Sequence, residues 1–412
     1  MGFLRQSFEK RISLKQWGAL LDQAIYGAPT ATGINVSDQS ALTWSVVWGC
    51  VNCLSQDMAK LPLPAYRRLP GDQGRDEARD HWLWRLFSVA PNPFMTPYIF
   101  RQTMQKHLAV RGNAYAIIDR APDGSVRALY PRMPDRMTPK VVNGVLIYEY
   151  KEYSASPTTY YSDQVFHLKG LSDDGITGFS PVEIFREGIG LGLAYQQHAA
   201  RQFANGVRSP MFVEIPSSPG PEALVKMREE FQKQLAGIQN AGTVPFMWGG
   251  MTLKPLGFTN QDAQFIESQH LSVEGGCRIW RIPPHKVMDY LRATFSNVTE
   301  INTSYTDDTL MPWQVMWEQS ISQQLLPERE REAVYVEHNN YSLLKGTPKE
   351  RAEVEVMYTL NGISQIDEVR RSHNWPPVKG GDKNRVQMQM MPIDAPPGLA
   401  QPAAPPKQKE QP

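Results

Sequence analysis

The chain is poor in cysteine, with three in 412 residues, and it lacks charge of one dominant sign, with 43 basic against 42 acidic residues and a net charge of +1. So few thiols exclude a disulfide framework, and the usage fits synthesis in a reducing compartment. The balanced charge excludes a wholesale nucleic-acid coat, so any contact with a polyanion must be local or be repeated by symmetry. No apolar run approaches the roughly 18–20 residues of a spanning helix, and no membrane contact is expected. The N-terminus has no signal-peptide core, because Arg5, Glu9, Lys10 and Arg11 interrupt it. Met1-Gly2 does not continue into a myristoylation pattern, since position 6 is Gln.

Catalytic signatures are missing too. No Gly-Lys pair occurs, so the phosphate-cradling G-x4-G-K-[ST] loop of a nucleoside triphosphatase cannot be built. No serine sits in G-x-S-x-G. Cys50-Val-Asn-Cys53 has redox or zinc spacing, but no second pair completes four ligands, and the segment reads as the apolar face of a helix. The one pattern with catalytic chemistry is Asp135 followed by Glu149 and Lys151, the spacing of a metal-dependent nuclease core. There two carboxylates hold Mg²⁺ and the lysine stabilises charge at the scissile phosphate. Mg²⁺-dependent DNA cleavage lost on Asp135→Ala would favour that alternative. Otherwise no catalytic residue, metal or cofactor is expected.

What remains is a long globular chain, 41% hydrophobic and 21% charged, with 10 Trp and 16 Tyr. That is enough for two or three cores, at ~100–200 residues each. After an N-terminal arm and a Gly/Pro-rich linker, Val47, Val51, Leu54 and Met58 recur at helical spacing over 41–61, with Thr43 as a cap. Pro62 and Pro64 end that helix. A Trp-rich helix covers 81–89, carrying Trp82 and Trp84, and Thr96-Pro97 opens another to about Arg111. Alternating segments at 112–119, 126–130, 141–153 and 158–168, with turns at Pro122-Asp-Gly124 and Asn143-Gly144, predict a module of β-hairpins.

Ser180-Pro181 caps a helix to about Asn205 that carries Gly188, Gly190 and Gly192. Their cost in helix propensity predicts close approach by a neighbouring backbone. An extended stretch, a helix from Pro221 and short strands follow. A helical pattern from Gln261 then breaks at Gly275-Gly276. Beyond it lie Arg278, Arg281, the Pro283-Pro284 pair, Lys286 and a Ser/Thr/Asn-rich loop. Leu310, Trp313, Trp317, Ile321 and Leu325 mark one face of the next helix. Two last helices fall at 349–361 and 365–373, and the Pro/Ala/Gln-rich end reads as disordered.

Several of these segments, taken in order, resemble the portal (head-to-tail connector) proteins of tailed double-stranded-DNA bacteriophages. They include Val51 to Pro64, Pro91-Asn-Pro93, Gly112-Asn113-Ala-Tyr115 and Asp174-Gly-Ile-Thr-Gly178-Phe-Ser180-Pro181. Gln264-Phe-Ile-Glu267, Ile282-Pro-Pro284, Thr309-Leu-Met-Pro312, Asn361-Gly-Ile-Ser364 and Asp367-Glu-Val-Arg370 continue the series. The resemblance implies an α+β, mostly helical subunit of wing, stem, clip and crown, assembling with identical copies into a ring with a central channel. Twelve is the family's usual number.

Carried onto this chain, it implies an arm at 1–40, wing at 41–179, first stem helix at 180–206 and clip at 207–260. A second stem helix at 261–284, a tunnel loop at 285–304, a wing helix at 305–333, a crown at 334–393 and a disordered tail at 394–412 complete it. Lys286, Arg292, Ser296, Asn297, Thr299 and Asn302 would face DNA. A conduit for any sequence should offer few fixed charges and no base readout. Gly188, Gly192, Arg278 and Arg281 would lie at the stem and subunit interface.

The implied partners are further copies of the chain, double-stranded DNA, the large terminase subunit, capsid and scaffold proteins, and head-completion or tail-adaptor proteins. The implied place is the portal vertex of a virion, after synthesis in the host cytoplasm. A scaffold or adaptor without a channel is the structural alternative, and it predicts a monomer or small oligomer.

Overall fold

A computed structural model describes residues 28–72, 74–152, 156–204, 211–214, 220–235, 252–255, 261–290, 303–340, 348–373 and 375–384. The chain divides after Asn339 into two compact units.

In the first unit, helix α1 (Ser45–Lys60) turns Val47, Cys50, Leu54 and Met58 inward. They pack against Phe100, Met104 and Leu108 of α2 (Pro97–Arg111). Each such side chain, fully buried, contributes roughly 1.5–3 kcal/mol. Leu61, ahead of Pro62, is forced extended and ends α1. Thr43 does not cap it. The helix begins after Trp44 without a side-chain cap, while Ser37 and Ser40 form a capping box on a separate short helix, Asp38–Ala41. Thr96 caps α2 as its sequence predicts, its hydroxyl accepting from the Ile99 N–H.

Arg101 is a buried cation on α2 whose guanidinium donates to the carbonyl of Leu61, at the end of α1. The helix dipole's negative end explains a charge at that place. Burial lowers its pKa to about 10.

The first two strands and the Asn143-Gly144 turn fall where alternation predicts them, but the strand before that turn begins already at Met137. The expected strand 158–168 is split by the turn Ser162–Gln164 into strands of two different sheets. Strand β3 (Asn113–Arg120) pairs with β4 (Val126–Arg132) and β8 (Val165–Lys169), while β5 (Met137–Val142), β6 (Val145–Tyr150) and β7 (Thr158–Tyr161) form a second antiparallel sheet. Asn143 and Gly144 both adopt positive φ, 51° and 79°, which the tight β5–β6 turn requires. A third sheet joins β1 (Ala65–Arg68), β2 (Arg75–Glu77) and β9 (Val334–Val336).

The expected helix from Ser180 is interrupted. Ser180 caps only Pro181–Ile184, Phe185 leaves helical geometry, and α3 runs Arg186–Ala204. Conversely, α4 (Gln261–Ile279) passes through Gly275-Gly276 without a break. A β-carbon on Gly276 would lie 2.8 Å from the Val46 side chain and 3.0 Å from that of Trp44, so tertiary packing outweighs the local propensity.

Between α3 and α4 the described residues include the pair Met211–Glu214 with Thr252–Pro255 and the helix Pro221–Leu235. Helix α5 (Met311–Leu325) follows a π-helical turn, Tyr305–Leu310. It buries Trp317, Ile321 and Leu325 on the expected face, and Trp317 Nε1 donates to Gln105 at 2.7 Å. Gln324 both donates to and accepts from the backbone of His167, so α5 docks on β8 like an extra strand partner.

The second unit contains α6 (Pro348–Leu360) and α7 (Ile366–Ser372), close to the expected pair. The expected disordered tail, 394–412, lies outside the described residues.

Candidate nucleic-acid loop and its anchors

Helices α3 and α4 pack together, and both meet Trp44. Gly192, early in α3, and Gly276, late in α4, would each drive a β-carbon into its ring, at 2.4 Å and 3.0 Å. The chain therefore leaves along one helix and returns along the other. The same geometry corrects the expected backbone approach: the glycines of α3 are filled by side chains, Gly190 by Thr30 and Gly192 by Trp44, while Gly188 faces open space. Arg278 pairs with Glu274 at 3.1 Å one turn away, an exposed pair worth little.

Arg281 does its visible work through its backbone. With φ of 56° it holds the left-handed position that closes α4, and the N–H groups of Arg281 and Ile282 donate to the carbonyls of Arg278 and Cys277. This is a Schellman cap with arginine where glycine is usual. A second left-handed residue, Met288 at φ 66°, closes the 3-10 turn Pro284–Val287 and turns the chain toward the loop.

Both ends of the loop are tied to α1. The hydroxyl of Thr309 donates to the Arg281 carbonyl at 2.6 Å. Lys286 Nζ lies 4.7 Å from the centre of the Tyr305 ring, and the Tyr305 hydroxyl donates to Asp57 Oδ2 at 2.8 Å. Asp57 also pairs with Lys60 at 2.6 Å, and Cys53 Sγ stands 3.6 Å from it. Burial pushes the Tyr305 hydroxyl well above its ordinary pKa, with the Asp57 charge adding to it, so it remains a donor. Burial first and Asp57 second raise the Cys53 thiol to about 11.

Lys286 is thus an anchor as well as a charge at the loop's entrance. Arg292, Ser296, Asn297, Thr299 and Asn302 lie outside the described residues. Asp57 and Tyr305 escaped the sequence reading. An acid on the apolar stripe of α1, between Leu54 and Leu61, was the available signal. Removing the hydroxyl in Tyr305→Phe is expected to cost about 1.5–3 kcal/mol, the worth of a hydrogen bond to a charged group, readable by urea denaturation.

The C-x-x-C thiols point to different partners. Cys50 is buried with its sulfur 4.0 Å from that of Cys277, and all three cysteines are free. Among the described residues no three His, Cys, Asp or Glu side chains gather as a metal site. Glu149 is paired across the hairpin with Lys140, Asp135 sits in the turn Pro134–Arg136, and the Lys151 N–H donates to the Arg136 carbonyl.

A family model described as phage portal protein matches residues 45–374. The portal protein of Enterobacteria phage HK97 is 32% identical over 365 residues, covering 87% of this chain and 85% of that one. The probable portal protein of Streptomyces phage phiC31 is 29% identical over 385 residues, 90% of this chain and 83% of that one. Among solved structures, an HK97-family phage portal protein from Corynebacterium diphtheriae aligns with TM-score 0.54 at 15% identity, over 76% of this chain and 99% of that chain. A chain from the neck of a native gene transfer agent particle, computed with C12 symmetry, aligns with TM-score 0.53 at 18% identity, over 87% and 93%. At such identities the likeness establishes the fold, and the α+β architecture expected from the resemblance is the one found.

Proposed function

The chain belongs to the phage portal protein family, and from that premise we propose that identical copies close into a ring, twelve around one axis, at one vertex of a capsid. The ring conducts double-stranded DNA inward during packaging and outward during ejection. It has no catalytic step of its own. The observation that carries this reading is the family match over residues 45–374. Neck particles of similar fold solved under C12 and C6 symmetry support a twelvefold ring, since both symmetries divide it.

In this assignment α3 and α4 are the stem, the segment between them is the clip, and the second unit belongs to the crown. The clip is where the large terminase subunit and later the head-completion or tail-adaptor proteins dock. Capsid and scaffold proteins hold the ring at its vertex, and the virion is the chain's final location.

A net charge of +1 per chain suffices, because one lysine per subunit becomes a ring of twelve. Lys286, held over Tyr305, supplies a fixed positive field at the root of the tunnel loop. Arg292 steers the phosphates, and Ser296, Asn297, Thr299 and Asn302 offer hydrogen bonds without base readout. Gly188, open within one subunit, is left for the neighbouring copy at the stem, together with Arg278 and Arg281.

Electron micrographs of the purified full chain test the reading: annuli with an axial hole are expected, with the chain at a single vertex of assembled particles. A chain that stays a single molecule under every assembly condition and is missing from vertices overturns it.

A further inference from the structure

Helices α6 and α7 and the segment after them bury almost nothing of their own. Among the described residues from 348 to 384, Gly381 alone is buried. A groove of about 570 Å³ lies along the two helices, floored by Ala352, Val356, Leu360, Ile366 and Val369. One of its walls is fixed: His373 stacks on Trp375 at 4.9 Å and pairs with Glu355 at 2.9 Å. A second apolar row occupies α6. Val354, Met357 and Tyr358 are 41%, 59% and 44% exposed. At ~100° per residue this row lies about 180° from the groove-facing row of Ala352, Glu355, Val356 and Thr359.

A groove and a ridge on opposite faces of one helix cannot fill each other within a chain. Nor can one two-fold partner cover both. They fit head-to-tail contact, in which each copy offers its ridge to one neighbour and receives a ridge from the other, the arrangement that closes into rings. The charges agree. Arg351 and Arg370 border the groove with no carboxylate partner among the described residues, and Arg351 Nε is buried without an acceptor. Glu353 stands near the ridge, exposed and only loosely paired with Lys349 at 3.8 Å.

We propose that the ridge of Val354, Met357 and Tyr358 inserts into the α6–α7 groove of the next copy, so that the second unit gains its core only in the assembled ring. This rests on the ring reading above.

The test is cross-linking in assembled full-length chains. Oxidation of a Met357→Cys/Val369→Cys double variant with copper-phenanthroline should give a ladder of covalent oligomers, at least tenfold above either single variant. The native Cys50 and Cys277 thiols are buried, and the half-buried Cys53, present in every variant, is controlled for by the two single variants. Intact rings without a ladder overturn the proposal, as does a Met357→Cys single variant that dimerises as well as the double variant. If the double variant does not assemble, benzoylphenylalanine at Tyr358 replaces it. Its photoproducts must map to residues 352–369 of the neighbour, and products elsewhere in an intact ring sink the proposal. If the unaltered chain forms no ring at all, the ring reading fails first and takes this one with it.

Discussion

Gly112→Ala is expected to cost on the order of 4 kcal/mol or more, the range reserved for changes that a fold cannot absorb. Gly112 ends α2 in the left-handed region, at φ 67°. That conformation alone costs an ordinary residue roughly 1–2 kcal/mol. The larger obstacle is contact. A β-carbon there would lie 1.8 Å from the Phe179 carbonyl oxygen and 2.5 Å from its carbon, and neither can rotate away because both are backbone. Gly178 faces the same limit from the other side, its β-carbon position lying 2.1 Å from the Gly112 oxygen. The Gly170 N–H donates to that oxygen at 2.8 Å. Three strands of backbone therefore cross where only hydrogen fits.

Gly175→Ala is the matched control. It has φ of 68° but nothing within 4 Å of the new carbon, so it should lose only the conformational ~1–2 kcal/mol. Urea denaturation of the two variants decides. Equal losses would show that the crossing yields, and the account of it would be wrong.

That crossing also shows what a sequence can and cannot disclose. Gly112-Asn113 and Asp174 to Pro181 are visible separately as turn signals. Their partnership is tertiary: the Asn113 side chain accepts from the Gly178 N–H at 2.8 Å and donates to the Gly178 carbonyl at 2.6 Å. The hairpins were legible because alternation and an Asn-Gly turn are local properties. The face of α5 was legible because helical periodicity is local too.

Gly275-Gly276 misled because helix propensity is worth only ~1 kcal/mol per glycine, less than the packing of Trp44 and Val46 over α4. The anchor of the proposed tunnel loop was invisible for a related reason. Asp57, Lys286 and Tyr305 come from three separate segments, and only the folded α1 brings them within one network. The α+β class and the family could be read from the order of the turns. The chemistry that holds the loop could not.

Acidification is expected to destabilise the first unit steeply between about pH 6.5 and 4, through histidines kept neutral by burial. Burial holds His167 near 3 and His107 near 4, against an ordinary 6.5, and lowers His338 as well despite its Glu318 partner. The folded state refuses protons that the unfolded chain accepts, so stability is full above about pH 7 and falls as pH drops toward the folded values. Each histidine contributes up to about 1.4 kcal/mol per pH unit, so His167 and His107 together give about 2.7. Asp38, raised by burial, acts with the opposite sign and offsets part of the loss.

The His167 site explains why protonation is refused. Asn113 commits its amide N–H groups to carbonyls, so its oxygen accepts from His167 Nε2 at 3.0 Å. The other ring nitrogen must then accept from the Tyr148 hydroxyl at 3.2 Å, and burial keeps that phenol protonated by pushing its pKa up to about 12. A second ring proton would take that acceptor away from the buried Tyr148 hydroxyl and place a charge where burial disfavours it. In urea titrations from pH 7.5 to 4.5, His167→Gln should therefore start less stable yet lose about 1.4 kcal/mol per pH unit less than the unaltered chain. Parallel pH curves for the two would remove His167 from the mechanism and leave its network with a purely structural part.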